Sequence, residues 1–210
     1  AVASGSKNAT AGFSIVKYTG EAGSPTVGHG LSVAPEIIII KNLDETKEWN
    51  VVSPDNISTT KRLVLNTTAA QAVGSGLVSP YINSTIFKLD DGTTRTNDGA
   101  SDYIAYCFHS VEGYSKVGLY TGNGSIDGAF IYTGFRPRWT MVKNLASAEG
   151  YTGWIMQDNQ RAPYNVVTLG TMLAADTSYV EGTRTQGSAS TLNYYDMLSN
   201  GFKMRNTSYE

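Results

Sequence analysis

Gly12-Phe13-Ser14-Ile15-Val16-Lys17-Tyr18-Thr19-Gly20 reads as one β-strand bounded at both ends by glycine. Its interior is β-branched and aromatic, the residue types that suit a pleated, half-buried surface. The stretch returns as Gly113-Tyr114-Ser115 through Tyr120-Thr121-Gly122, one residue longer. Further matches follow in the same order. Pro35 aligns with Pro137, and Lys41-Asn42-Leu43 recurs as Lys143-Asn144-Leu145. Trp49 falls near Trp154, and Phe87-Lys88-Leu89 resembles Phe202-Lys203-Met204. Ordered self-similarity of this kind marks a repeated supersecondary unit. The chain is expected to hold two copies of one unit, with the seam at Glu112-Gly113.

Short apolar runs alternate with turn signals such as Asp91-Gly92, Gly122-Asn123-Gly124 and Asn200-Gly201. That spacing predicts an all-β fold: two tandem, internally duplicated antiparallel β-sandwich units of jelly-roll-like type. Ile37–Ile40 is stiff at χ1 and fits a strand covered on both faces. Trp49–Val52, Arg62–Leu65, Thr85–Leu89 and Tyr103–Phe108 are further strands, and Thr67–Val73 is the best candidate for a helical turn. Residues 1–11 are expected to form a polar N-terminal arm, residues 12–112 the first sandwich repeat and residues 113–210 the second. The second copy stops short of an equivalent of Tyr103–Phe108, so it is expected to lack its closing strand. Three accounts fit: a longer polypeptide, strands shared within one continuous sandwich, or a strand supplied by a neighbouring subunit.

The composition narrows the role. The 210 residues carry a net charge of -2, and charged residues reach only 16%. Ser, Thr and Asn together supply 57 residues. A surface kept wet by hydroxyls and amides lacks the positive face that counterion release requires, so nucleic acid is not an expected partner. Ile37–Ile40 is the longest notable apolar run and is too short to span a bilayer, so membrane insertion is not expected either. The lone Cys107 excludes an intrachain disulfide and a cysteine-rich zinc site.

The repeat also resembles a known family. Besides Gly12–Gly20, the pieces are Val27-Gly28-His29-Gly30-Leu31, Ala34-Pro35-Glu36-Ile37-Ile38, Tyr103-Ile104-Ala105-Tyr106-Cys107-Phe108, Val111-Glu112-Gly113-Tyr114-Ser115, Tyr120-Thr121-Gly122-Asn123-Gly124 and Leu198-Ser199-Asn200-Gly201-Phe202-Lys203. Over residues 12–207 these are similar to a tandem-repeat β-domain of marine bacteriophage virion structural proteins, of tail-fibre, appendage or capsid-surface type. The resemblance implies a non-enzymatic virion component at the particle surface, touching its own copies and other virion proteins. It implies no catalytic residue, no metal and no cofactor.

Read by themselves, the reactive side chains point the same way. His29 sits in a bend and is expected to bond local backbone. His109 ends an aromatic strand, and Cys107 reads as a small buried hydrophobe. Asp102, Glu112, Glu149 and Asp158 have no signalled pairing across a cleft, as a glycosidase would need. Asp90, Asp91, Asp98 and Asp102 gather oxygen ligands near one loop, a weak calcium pattern that tight Asp-Gly turns also explain. The rival function is a lectin-like module for host-surface glycans, in which exposed rings stack on sugars. Tyr164, Tyr194 and Tyr195 are the surface candidates. Trp139 and Trp154 are expected to point inward, the first because it aligns with Ile37, the second because it aligns near Trp49.

Overall fold

A computed structural model describes residues 3–148, 153–161, 172–178 and 195–205. All regular structure among them is β, and every strand pairing is antiparallel. The chain divides into two compact units, residues 1–65 with 71–118 and residues 66–70 with 119–210. The boundary therefore lies past the expected seam, and Asn66–Ala70 joins the second unit. Within that unit Lys143 Nζ donates to the Thr68 carbonyl at 3.2 Å.

The first unit opens with β1 (Ala3–Asn8), β2 (Phe13–Thr19) and β3 (Thr26–Gly28). β4 (Ile37–Asn42), β5 (Asn50–Val52), β6 (Lys61–Val64) and β7 (Ala72–Val73) follow, then β8 (Leu77–Ile82), β9 (Ile86–Leu89) and β10 (Asp102–Phe108). One sheet has the order β1-β2-β10-β4-β5-β6-β7, and the other β3-β9-β8. A single cluster of buried side chains joins them. Val16, Tyr18, Ile38, Ile40, Tyr103, Ala105 and Cys107 come from the large sheet, and Val27, Leu77, Phe87 and Leu89 from the small one. That is a β-sandwich, with alternate residues of each strand facing in. The last strand in sequence, β10, is central in space: it fills the slot between β2 and β4. Ile39 faces away from the cluster yet is also buried, so the isoleucine run is covered on both faces as expected.

Two expectations fail here. The stretch expected as a polar N-terminal arm contains a strand: Ala3–Asn8 is the edge strand β1, registered on β2 from Ala3↔Tyr18 to Asn8↔Phe13. Its side chains are all exposed. Backbone pairing holds it, and a polar edge with Lys7 resists further pairing. Thr67–Val73 forms no helical turn. Ala72–Val73 is instead the exposed end strand β7, and Arg62 Nη1 donates to the Val73 carbonyl at 2.8 Å. Alanine content favours a helix only where local propensity meets no competing ladder.

The second unit contains β11 (Phe130–Tyr132), β12 (Trp139–Val142), β13 (Ile155–Asp158), β14 (Met172–Ala174), β15 (Tyr195–Leu198) and β16 (Gly201–Met204). Its described sheets are β12-β13-β14 and β11-β16-β15. These ladders match those of the first unit pair for pair. β12-β13-β14 matches β4-β5-β6, and β11-β16-β15 matches β3-β9-β8. Val27 opposes Phe87 as Ile131 opposes Phe202. Loop hydrogen bonds match too: His29 N to Thr85 O with Thr133 N to Asn200 O, and Leu65 N to Trp49 O with Ala175 N to Trp154 O.

The Lys-Asn-Leu motif has a mechanical role in both places. Asn42 Oδ1 accepts from the amides of Asp44 and Glu45, and Asn144 Oδ1 from those of Ala146 and Ser147. Lys41 Nζ donates to the carbonyls of Asn42 and Glu45, and Lys143 Nζ to those of Asn144 and Ser147. The asparagine builds the Asx turn that ends the strand, and the lysine ties down the turn carbonyls.

Close backbone approach fixes Gly201. A Cβ there would lie 2.1 Å from the Ile131 carbonyl oxygen and 3.0 Å from Phe130 Cζ. Gly201→Ala is therefore expected to cost about 1–3 kcal/mol by forcing β11 away from β16. Gly118→Ala, where a Cβ meets nothing within 4 Å, should be nearly neutral. Urea midpoints of the two variants check the difference.

Candidate interaction surface

Most candidate reactive groups are already engaged. His29 is fully buried: its Nδ1 accepts from the Leu31 amide at 3.2 Å, and its Nε2 donates to the Asn83 carbonyl at 2.9 Å. Burial, opposed by the Asn83 bond and helped by His109, holds its pKa below the ordinary histidine value. It works as a neutral splice between two backbone segments. His109 Nδ1 donates to the Ser110 carbonyl at 2.8 Å. The Ser110 hydroxyl donates to Glu36 Oε2 at 2.5 Å and accepts from the Val117 amide at 2.9 Å. Histidine, hydroxyl and carboxylate thus meet near one strand end, but the hydroxyl points at the carboxylate and the imidazole at a carbonyl. Cys107 is buried mid-strand, and desolvation pushes its thiol up to about 12.

The loop of weak calcium candidates is organised around tyrosine hydroxyls. Tyr18 Oη donates to the Thr96 carbonyl at 2.8 Å, and Tyr103 Oη accepts from the Asp98 amide at 2.7 Å. Buried Asn97 accepts from the Glu21 amide and donates to the carbonyls of Gly23 and Asp90. Asp91 takes the Gly23 amide, and Asp90 takes the Asp91 amide. Asp102 binds Lys17 Nζ at 2.6 Å and the Thr19 hydroxyl at 2.8 Å, and the Lys17 bond leads in lowering its pKa. The oxygens of Asp90, Asp91 and Asp102 serve turns and an ion pair. Among the described residues no group of three His, Cys, Asp or Glu is placed to hold a metal ion. Asp158 likewise caps its own turn, accepting from the Gln160 and Arg161 amides and pairing with Arg161 Nε. Glu112 is exposed, and Glu149 lies outside the described residues.

The aromatic candidates need correction. Tyr195 is fully buried in the second unit's core, its hydroxyl bonded to the Thr140 hydroxyl, so it offers no ring to a surface ligand. Tyr164 and Tyr194 lie outside the described residues. Trp154 is buried as expected. Trp139 is not: it is 55% exposed. Its alignment with Ile37 misleads because Ile37 is itself only half-buried, on the outward phase of β4. On β12 the inward residues are Thr140 and Val142.

What the second unit presents instead is a set of exposed large apolar side chains that sequence reasoning missed. Leu119 (60%), Ile126, Phe130, Tyr132 (66%) and Trp139 are all large and exposed. On β11 the alternation puts Ile131 toward the core and turns Phe130 and Tyr132 outward. The signal was present: Phe130-Ile131-Tyr132 is apolar at every position, where a half-buried strand alternates. Edge geometry accompanies it. Among the described residues β11 pairs only with β16, and β12 only with β13. Exposed Phe130 and Tyr132 on one face of β11, beside an edge left open among the described residues, fit contact with another macromolecule better than chemistry on a small one.

The sequence profile of DUF7483, a domain of unknown function, matches residues 2–210. The chain belongs to this family. No curated protein and no solved structure matches it. The DUF7483 profile spans both units, so the arrangement of paired ladders and exposed apolar strands lies within one family domain.

Proposed function

We propose that this DUF7483 chain is a non-enzymatic structural module that works by repeated protein–protein contact. On this reading the two units are copies of one β-sandwich plan, as their shared ladders and the doubled Lys-Asn-Leu turn suggest. Together with the resemblance of the repeats, this favours a bacteriophage virion component exposed on the particle as a fibre, decoration or appendage subunit. The observation that carries the reading is β11, which turns Phe130 and Tyr132 outward from a strand whose second edge is open among the described residues. Two large rings on one face of an edge strand are suited to burial against another chain. Low charge allows many such contacts without like-charge repulsion.

Sedimentation or solution scattering tests it. The chain should form a homo-oligomer, and Phe130→Ser with Tyr132→Ser should return it to a monomer while leaving the fold intact. A wild-type chain that stays at 22.5 kDa at high concentration would count against the proposal. A second reading has its own support: exposed Trp139 and Tyr132 are rings of the kind that stack on sugars, which favours a glycan-binding module. Binding on a glycan array that is lost with Trp139→Ala would favour that reading over assembly.

A further inference from the structure

We propose that Arg62 and Arg95 of the first unit form a binding site for a tetrahedral oxyanion, sulfate or phosphate, taken up free or as an ester. Both guanidinium groups converge over Gly74. A Cβ at Gly74 would lie 3.1 Å from Arg95 Nη2 and 3.8 Å from Arg62 Nη1. Two cations are thus close neighbours in a chain whose charged residues reach only 16%. Carboxylates do not neutralise the pair. Arg62 Nη1 donates to the carbonyls of Val73 and Gly74 at 2.8 and 3.4 Å. Its carboxylate partner among the described residues, Glu48, stands 3.9 Å from Nη2, beyond hydrogen-bond distance. Arg95 takes part in no ion pair among the described residues, and the Nε atoms of both arginines are buried without an acceptor. Burial, aided by the Arg95 charge and opposed by Glu48, lowers the Arg62 pKa, yet a guanidinium keeps its proton in a protein. Adjacent cations that lack acceptors and are partly shielded from water favour a multiply charged anion.

The ladder itself does not call for an arginine at position 62. Ile40, Asn50 and Val64 stand opposite one another on the core side of β4, β5 and β6, and Arg62, two residues before Val64, faces the same side. The second unit shows what the same place holds without a charge. Val64 opposes Asn50 as Ala174 opposes Ile155, and the Leu65 N to Trp49 O bond matches Ala175 N to Trp154 O. Met172 therefore stands where Arg62 does, and it packs in that unit's core. A cation on the inward phase of a strand, with only 15% of its side chain exposed, carries a desolvation cost that the methionine avoids. Its placement beside a second cation is explained by a ligand and not by packing.

Both arginines are mounted on fixed backbone. Arg62 lies on β6, which is paired with β5 on one side and β7 on the other. Arg95 lies in the loop before β10, and its two neighbours are tied to the core tyrosines. Tyr103 Oη donates to the Thr94 carbonyl at 3.3 Å, and Tyr18 Oη donates to the Thr96 carbonyl at 2.8 Å. The Thr96 hydroxyl donates to the Gly76 carbonyl at 2.6 Å, which joins the Arg95 loop to the Gly74 turn. An anion would thus meet donors already in place, with little ordering left to offset. The geometry of the donors selects its shape. Each guanidinium is a planar fork of N–H groups. One fork satisfies a carboxylate, whereas a tetrahedral dianion has oxygens enough for two.

Titration calorimetry of the full chain with sodium sulfate and sodium phosphate, against sodium acetate at equal ionic strength, tests the site. Sulfate and phosphate are expected to bind in the millimolar range, and acetate at least about tenfold more weakly. Arg95→Gln should weaken both by at least about tenfold, while its urea midpoint without anion matches the wild type, since no ion pair depends on Arg95. Arg95→Lys keeps the charge but not the fork, so it should recover only part of the affinity. Arg62→Met, which installs the second unit's residue, should lose the anion as well. A sulfated monosaccharide, compared with its unsulfated parent, separates the two sources. Tighter binding than inorganic sulfate makes an ester the ligand, and weaker binding makes it the free anion. Absence of saturable sulfate or phosphate binding overturns the proposal. So does equal binding by the wild type and Arg95→Gln, or acetate bound as tightly as sulfate. None of these results touches the oligomer contact assigned to Phe130 and Tyr132.

Discussion

Folding stability is expected to be flat between about pH 8 and pH 9 and then to fall steeply. Desolvation raises the Cys107 thiol from 9.0 to about 12. Burial likewise raises the Tyr18, Tyr103 and Tyr195 hydroxyls above the ordinary tyrosine value. All four are neutral when protonated. The folded chain therefore holds these protons at a pH where the unfolded chain has released them. Below their unfolded values the two states bind the same number of these four protons, and these groups leave stability unchanged. Above them the unfolded state gains about 1.4 kcal/mol per group per pH unit. For Cys107 alone the rise from about 9 to about 12 removes roughly 4 kcal/mol, and the tyrosines add to the loss from about pH 10. Urea unfolding at successive pH values gives the slope. In Cys107→Ala the onset should move up to the tyrosine range. The same shift leaves the native thiolate roughly a thousandfold scarcer than in the unfolded chain, so alkylation of Cys107 should proceed only as fast as the fold opens. Rapid labelling of the native protein near neutral pH would contradict the burial of β10.

The strand positions were legible because side-chain alternation and turn residues act locally. Phe13–Tyr18, Ile37–Ile40 and Tyr103–Phe108 each carry their own instructions for a buried face. The recurring Lys-Asn-Leu was legible too, and its role is mechanical: in both places its asparagine builds an Asx turn. What failed depended on neighbours. Ala3–Asn8 has no hydrophobic pattern of its own and becomes a strand only because β2 offers it an edge. Thr67–Val73 has helical composition, but its end is taken by the β6 ladder through Lys61↔Val73.

The candidate surface was read wrongly for a related reason. An aromatic residue shows in the sequence, but the phase of its strand does not. Tyr195 was placed outside because one of two neighbouring tyrosines must face out, and the core took this one through Thr140. Trp139 was placed inside by homology to Ile37, whose own burial is partial. In each case one residue of register reverses the face. The carboxylates of the Asp90–Asp102 loop illustrate the complementary point: spacing alone does not separate a metal cage from a set of turns, whereas the partners of Asn97 and Tyr103 do.

Phe87→Ala and Phe202→Ala form a matched pair with large expected costs. Each phenylalanine stands in the middle strand of a three-stranded sheet, opposite Val27 in one unit and Ile131 in the other. Each ring touches a buried tyrosine. Phe87 meets Tyr18 edge-on at 6.1 Å, and Phe202 meets Tyr195 at 5.3 Å. Phe87 is fully buried, and Phe202 retains 8% exposure. Truncating a buried phenylalanine costs about 3–5 kcal/mol through lost transfer energy and the cavity left behind. Phe87→Ala should fall at the upper end, since the sandwich closed by β10 can relax least around the hole. Phe202→Ala should fall at the lower end, because Phe202 keeps some exposure and loses less buried area. Amide exchange read separately in β9 and β16 keeps the two measurements apart without assuming one cooperative transition. Phe87→Leu and Phe202→Leu should each lose less, because most of the volume remains. A Phe202→Ala cost below about 1 kcal/mol would mean that the second unit does not use this position as the first does. The shared ladder would then reflect backbone pairing alone, without a common core.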